Sequence, residues 1–139
     1  MFKIKLGHIA LKTPCYEKTL AFYSLFGGVV EQEDTLSKNG QTINLALVRI
    51  GDLVIEVIET PGLDIEADGA NERFAHLCFD IQGLDGFVEE LKTKGVDTFK
   101  TQTVQEVGLF GGLRNINLYG PNGELLELYE KKTMKGLMP

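Results

Sequence analysis

Cysteine is scarce: Cys15 and Cys78 are the two in a chain of 139 residues, and they lack a Cys-x-x-Cys spacing. That excludes a disulfide-stapled scaffold. Each reads as structural, Cys15 at a helix start after Pro14 and Cys78 as a small side chain on a strand face, because free cysteine commonly behaves as a small hydrophobe. Positive charge is also short. Lys and Arg number 14 against 20 Asp and Glu, giving a net charge of -6, and no basic stripe runs along the sequence. Phosphate backbones and anionic membrane surfaces require clustered cations, so nucleic acid and membrane are excluded as partners. No apolar run approaches the roughly 20 residues of a membrane span. The N-terminus enters a strand pattern at once, without the charged and apolar regions of a signal peptide. A cytoplasmic location is expected. With 43% hydrophobic and 24% charged residues, the composition is that of a globular protein, and the length suits one domain that buries about two thirds of its unfolded surface.

What is present is a repeat. The segment Asp52-Leu53-Val54-Ile55-Glu56-Val57-Ile58-Glu59 lies on Gly123-Glu124-Leu125-Leu126-Glu127-Leu128-Tyr129-Glu130, with Glu56 on Glu127 and Glu59 on Glu130. Side chains alternate faces along a strand, so Val54, Glu56 and Ile58 share one face while Ile55 and Val57 take the other, and both faces read as buried. A carboxylate among aliphatic neighbours needs a cation, a hydrogen-bond network or an open polar cavity. Two such carboxylates at matching positions point to a shared task.

The two histidines pair in the same way. Leu6-Gly7-His8-Ile9-Ala10-Leu11-Lys12 matches Phe74-Ala75-His76-Leu77-Cys78-Phe79-Asp80 residue class for residue class. Each run precedes a helical pattern, Tyr16 to Phe26 and Leu84 to Lys94, ending at Gly27-Gly28 and Gly95. Each half then closes on its glutamate strand.

Taken in order, residues 3 to 12 alternate as a strand, and Thr13-Pro14 supplies an N-cap with a proline in the first helical turn. Leu20, Phe22, Tyr23 and Phe26 form a core stripe. Strands are expected at Val29 to Glu33 and Ile43 to Ile50, joined through Ser37-Lys38-Asn39-Gly40. The second half repeats the plan with strands at 74 to 81, 96 to 100 and Arg114 to Tyr119, a glycine-bearing loop from Thr101 to Gly112, and the last strand at 124 to 130. The fold class is α+β: two tandem strand-helix-three-strand modules at 4–60 and 74–130, a polar linker at 61–73, and a frayed tail at 131–139.

His8, Glu56, His76 and Glu127 are thus the candidate ligands. Imidazole and carboxylate together suit divalent Zn, Ni, Co, Mn or Fe. Neither half contains a close-spaced metal motif, so two satisfied core histidines and two solvated carboxylates remain open as the alternative.

The repeated module, with the segments HIALKTPCYEKTLAFYSLFGG, GDLVIEVIETP, FAHLCFDI and GPNGELLELYE, resembles the vicinal oxygen chelate superfamily. That superfamily includes glyoxalase I, bleomycin-resistance proteins, methylmalonyl-CoA epimerases, extradiol dioxygenases and fosfomycin-resistance enzymes. The resemblance covers roughly residues 4 to 130. It implies that the two βαβββ modules form a half-open barrel around one divalent metal per site, nickel or zinc foremost, with cobalt, manganese or iron as alternatives. It places the ligands of bacterial glyoxalase I on His8, Glu56, His76 and Glu127. The implied function is a lyase that isomerises a 2-oxoaldehyde-thiol hemithioacetal through an enediolate, with Glu127 as first choice of base and Glu56 as its near-equivalent. The rival readings are an acyl-CoA epimerase and a metal-free, bleomycin-resistance-like binding protein. A homodimer acting on a small molecule is implied as well. Two departures bear on the substrate. Lys12 stands where glutathione-binding members carry an arginine, losing the bidentate fork, and Thr60-Pro61 replaces an asparagine. Arg73 and Arg114 are the further candidates for binding an anionic substrate group.

Overall fold

The alternation around each glutamate becomes two four-stranded mixed sheets. The structure is a computed structural model describing residue 3 and residues 8–63, 76–109 and 111–132, with the backbone alone for Lys38. The chain divides after residue 70 into two compact units, each with the strand-helix-three-strand order.

In the first unit, β1 (Ile9–Thr13), α1 (Tyr16–Ser24), β2 (Val29–Lys38), β3 (Gln41–Ile50) and β4 (Leu53–Glu59) follow one another. The sheet order is β1-β4-β3-β2, with β1 parallel to β4 and the other pairs antiparallel. β2 continues to Lys38, well past the Glu33 expected from its pattern. The reason is the hairpin: Asn39 and Gly40 have φ of 52° and 78°, the two-residue turn whose twist suits antiparallel strands, and Lys38 pairs directly with Gln41.

Along β4, Ile55 and Val57 are fully buried, on the face where α1 packs against β3 and β4. Val54, Glu56 and Ile58 are only half-buried. The expectation of two buried faces is therefore corrected: one face is core and the other is partly open, which lets a carboxylate sit there without full desolvation. α1 buries Tyr16, Thr19 and Tyr23, and Phe22 meets Tyr23 edge-on with ring centroids 5.1 Å apart.

The helix boundaries also differ from the expectation. The N-cap is Cys15, without a side-chain cap. Thr13 is instead buried, its Oγ1 accepting from the Cys15 amide at 3.0 Å and lying 2.9 Å from Thr19 Oγ1. At the other end Gly27, at φ 79°, and a 2.9 Å bond from the Gly28 amide to the Tyr23 carbonyl close the helix in a Schellman-like turn.

The second unit comprises β5 (Leu77–Asp80), α2 (Leu84–Thr93), β6 (Gln105–Val107), β7 (Leu113–Tyr119) and β8 (Leu125–Lys131). Its order, β5-β8-β7-β6 with β5 parallel to β8, repeats the first. α2 packs on β8 and buries Leu84, Val88 and Leu91, while Ile116, Leu118, Leu126 and Leu128 fill the sheet's core face.

The strand expected at 96–100 is reduced to one bridge, Phe99 with Leu118. The third pairing strand, β6, lies inside the stretch expected to be loop. The two segments divide the edge of β7 between them: Thr98 and Lys100 bond the backbone at Tyr119 and Asn117, whereas β6 pairs with Leu113 to Asn115. Lys131, placed in the tail by the sequence reading, ends β8. Residues 133–139 and linker residues 64–73 lie outside the described residues. Among the described residues, no helix is long and apolar enough to cross a membrane.

Candidate metal centre

Each unit brings one histidine and one glutamate together by the same construction. β1 runs parallel to β4 with Ala10 opposite Glu56, so His8, two residues before Ala10, lies diagonally across from the carboxylate on the same face. His8 Nε2 is 3.3 Å from Glu56 Oε1. In the second unit Cys78 is opposite Glu127, and His76 Nε2 is 3.2 Å from Glu127 Oε1. The parallel pairing is what makes distant residues neighbours.

All four side chains stay within reach of solvent, the histidines at 43% and 41% exposure and the glutamates at 26% and 20%. An imidazole nitrogen and a carboxylate oxygen that already converge are donors suited to a borderline divalent ion. The residues present therefore fit the implied group. Among the described residues, no three His, Cys, Asp or Glu side chains gather into a group that could hold a metal by themselves. Each unit holds one such pair.

The surroundings of the two pairs differ. A cavity of about 250 Å³ opens beside His8 and Glu56, walled by Glu33, Asp34, Leu45 and Leu47. Glu33 accepts a 2.9 Å hydrogen bond from the Tyr16 hydroxyl, and burial together with that carboxylate raises the Tyr16 pKa. Around Glu127 the neighbours are polar. Asn115 Nδ2 donates to Glu127 Oε2 at 2.8 Å. Asn117, directly opposite Glu127, has a buried Oδ1 without a hydrogen-bond partner among the described residues. Cys78 is exposed, yet desolvation first and the Glu127 carboxylate second push its thiol up to about 12. It is a neutral thiol at physiological pH, in keeping with a structural reading.

Of the three candidate substrate-binding cations, Lys12 is exposed on β1 and opposite Ile58, on the face that carries His8. Arg73 lies outside the described residues. Arg114 is engaged within its own unit: Asp85 at 2.8 Å, Glu106 at 3.2 Å and Glu130 at 3.6 Å surround its guanidinium. Any substrate anion there would compete with three carboxylates. The sequence reading missed Asn115 and Asn117, although their spacing in Arg114-Asn115-Ile116-Asn117-Leu118 put both on the Glu127 face.

Comparison with known proteins bears on the family and the fold. Residues 7–109 match the profile of the Glyoxalase/Bleomycin resistance protein/Dioxygenase superfamily. An uncharacterised protein of Bacillus subtilis (strain 168), YwkD, is 32% identical over 129 residues, covering 91% of this chain and 96% of its own. Human mitochondrial methylmalonyl-CoA epimerase is 24% identical over 113 residues, covering 77% of this chain but 62% of the epimerase. Among solved structures, a glyoxalase family protein from Enterococcus faecalis superposes with a TM-score of 0.74 at 21% identity, over 94% of this chain and 100% of that one. A variant of the genomically encoded fosfomycin resistance protein FosX of Listeria monocytogenes, complexed with Mn(II) and 1S,2S-dihydroxypropylphosphonic acid, gives 0.69 at 26% identity, over 98% and 99%. The fold is thereby the glyoxalase-like one of two βαβββ modules.

Proposed function

Because the chain belongs to the glyoxalase/bleomycin resistance protein/dioxygenase superfamily, we propose that it is a metal-dependent lyase of glyoxalase I type, isomerising the hemithioacetal of a 2-oxoaldehyde and a thiol. The observation that carries this reading is the repeated His–Glu pair, with facing atoms 3.3 and 3.2 Å apart. A binding protein needs no such duplication of ligand chemistry.

His8, Glu56, His76 and Glu127 are the proposed ligands, and nickel or zinc are the first ions to test, with cobalt, manganese and iron after them. When bound, a divalent ion supplies Lewis-acid stabilisation of the oxygen that gains charge as the C–H bond breaks. The chain's own part is to hold and move a proton: a glutamate carboxylate takes it from the carbon bearing the thiol and returns it to the neighbouring carbon, which requires reach to both. The cavity beside His8 and Glu56, about 250 Å³, is smaller than the pockets that enclose drug-sized ligands. It supports a compact reacting group. Lys12, Arg73 and Arg114 stay the candidates for an anionic thiol carrier, and at Arg114 such a group would have to displace one of three carboxylate partners.

The second reading is an acyl-CoA epimerase, favoured by the match to the human enzyme and by a carboxylate in each of two equivalent units, as proton exchange on opposite faces of a carbon would need. A small-molecule ligand, a homodimer and a cytoplasmic location belong to either reading. The deciding experiment loads the purified chain with nickel or zinc and assays hemithioacetals of methylglyoxal with glutathione, other low-molecular-weight thiols and, separately, methylmalonyl-CoA. Thioester formation supports the lyase; α-proton exchange of the acyl-CoA alone replaces it with the epimerase.

A further inference from the structure

We propose that Asn115 is a positioning residue that makes the two glutamates unequal, holding Glu127 as a fixed carboxylate and leaving Glu56 as the one that moves. The functional consequence rests on the metal-dependent lyase reading above; the fixing itself rests on hydrogen bonding within the second unit.

Both oxygens of Glu127 are engaged. Oε2 accepts from Asn115 Nδ2 at 2.8 Å and Oε1 faces His76 Nε2 at 3.2 Å. Glu56 has His8, through Oε1 at 3.3 Å, as its one polar partner among the described residues. The registers locate the cause of the difference. Asn115 pairs with Tyr129, two positions beyond Glu127, and Leu45 pairs with Ile58, two positions beyond Glu56. Leu45 therefore stands in the first unit where Asn115 stands in the second. The same holds for Leu47 and Asn117, each opposite its glutamate, and for Ala10 and Cys78 on the parallel side. One glutamate is flanked by leucine, leucine and alanine, the other by asparagine, asparagine and cysteine. The backbone is repeated and the side chains are not.

A carboxylate held at both oxygens changes rotamer only by breaking a charge-assisted hydrogen bond, whereas one flanked by aliphatic side chains has none to break on its second oxygen. Outer partners of this kind orient metal ligands. The preference for Glu127 as base is thereby reversed. Glu56 takes the proton from the carbon bearing the thiol, the C–H electron pair becomes the carbon–carbon double bond, and the carbonyl π pair moves onto its oxygen. The same carboxylate then returns that proton to the neighbouring carbon, while the hydroxyl proton passes from the first oxygen to the second. Atoms and charge balance, and Glu56 is regenerated.

The test compares the full-length chain with Asn115→Leu and Leu45→Asn. In the metal-free protein, side-chain 13C relaxation is expected to show Glu127 as the more rigid glutamate, Asn115→Leu to bring it to the mobility of Glu56, and Leu45→Asn to stiffen Glu56. Equal mobility in the native chain, or no response of Glu127 to Asn115→Leu, overturns the proposal. With Co(II) as probe, Asn115→Leu is expected to weaken binding about tenfold and to alter the visible spectrum of the bound ion, whereas a loss of folding stability alone would lower the fraction of chain that binds and leave that spectrum unchanged. Unchanged affinity and spectrum overturn the positioning role. A native chain that takes up no Co(II) defeats the metal reading instead, and the relaxation data still decide the fixing.

Discussion

Replacing Gly28 by alanine probes the joint that sends α1 into β2 and so sets one wall of the first unit's cavity. A Cβ built at Gly28 would stand 2.6 Å from the Tyr23 carbonyl oxygen, 3.0 Å from its carbon and 3.0 Å from Val48 Cγ1. Two of these are backbone atoms of the helix's last turn, and the third belongs to a fully buried side chain. The carbonyl cannot withdraw without losing the 2.9 Å bond from the Gly28 amide. Overpacking of this kind costs about 1 to 3 kcal/mol, against a gain of roughly 0.4 to 1 kcal/mol from the stiffer unfolded chain. The net expectation is a loss of about 1 to 2 kcal/mol, a fall of roughly 3 to 8 °C in Tm for a chain of this size. Gly27→Ala is the control. Its Cβ meets nothing within 4 Å, but φ is +79°, so its cost of about 1 to 2 kcal/mol is conformational and Gly27→Asn should recover part of it. Calorimetry on the three variants checks both mechanisms. A Gly28→Ala protein as stable as the native chain, or more so, would refute the steric reasoning.

Other contacts carry further expected outcomes. Tyr16→Phe removes the 2.9 Å bond to Glu33 and should cost about 1 kcal/mol in denaturant unfolding, as a part-buried hydrogen bond does. The Cys78 thiol, pushed up to about 12, should alkylate slowly with iodoacetamide at neutral pH and faster in Glu127→Gln, as followed by mass spectrometry. Its folded value lies above the ordinary 9.0, so its stabilising contribution is complete below pH 9 and is lost as pH rises toward 12, a slope that Cys78→Ala should flatten. Asp85 and Glu106 are held below their ordinary values chiefly by bonds to Arg114 and Lys132 respectively. Such groups stabilise above their unfolded pKa and cease to as pH falls through the folded one. Arg114→Met should therefore be less stable than the native chain at neutral pH, with the gap closing in acid urea titrations.

The sequence made the repeat legible because the residues that carry it are chemically conspicuous. Glu56 and Glu127 interrupt aliphatic runs, and the chain has no histidines beyond His8 and His76. Parallel pairing then turned a similarity between halves into two contacts of 3.3 and 3.2 Å. Partners set by lateral neighbours were harder to read. Arg114 looked available for an anion, yet it faces Glu130 across β8 and Asp85 from α2, a meeting fixed by strand register. The division of β7's edge between Phe99 and β6 has the same origin. Alternation identifies a strand's face, not its neighbour. Asn115 and Asn117 were accessible in principle, since two amides at i and i+2 in a run of Leu and Ile mark a polar face.

Metal content tests the central claim most directly. The full chain, purified without chelator or an affinity-bound metal and then incubated with nickel, zinc, cobalt and manganese in turn, is compared by elemental analysis with His76→Ala and Glu127→Ala. About one transition-metal ion per native chain, lost in both variants, is the predicted result. A native chain that holds none after every incubation would contradict the account and put a metal-free binding protein in its place.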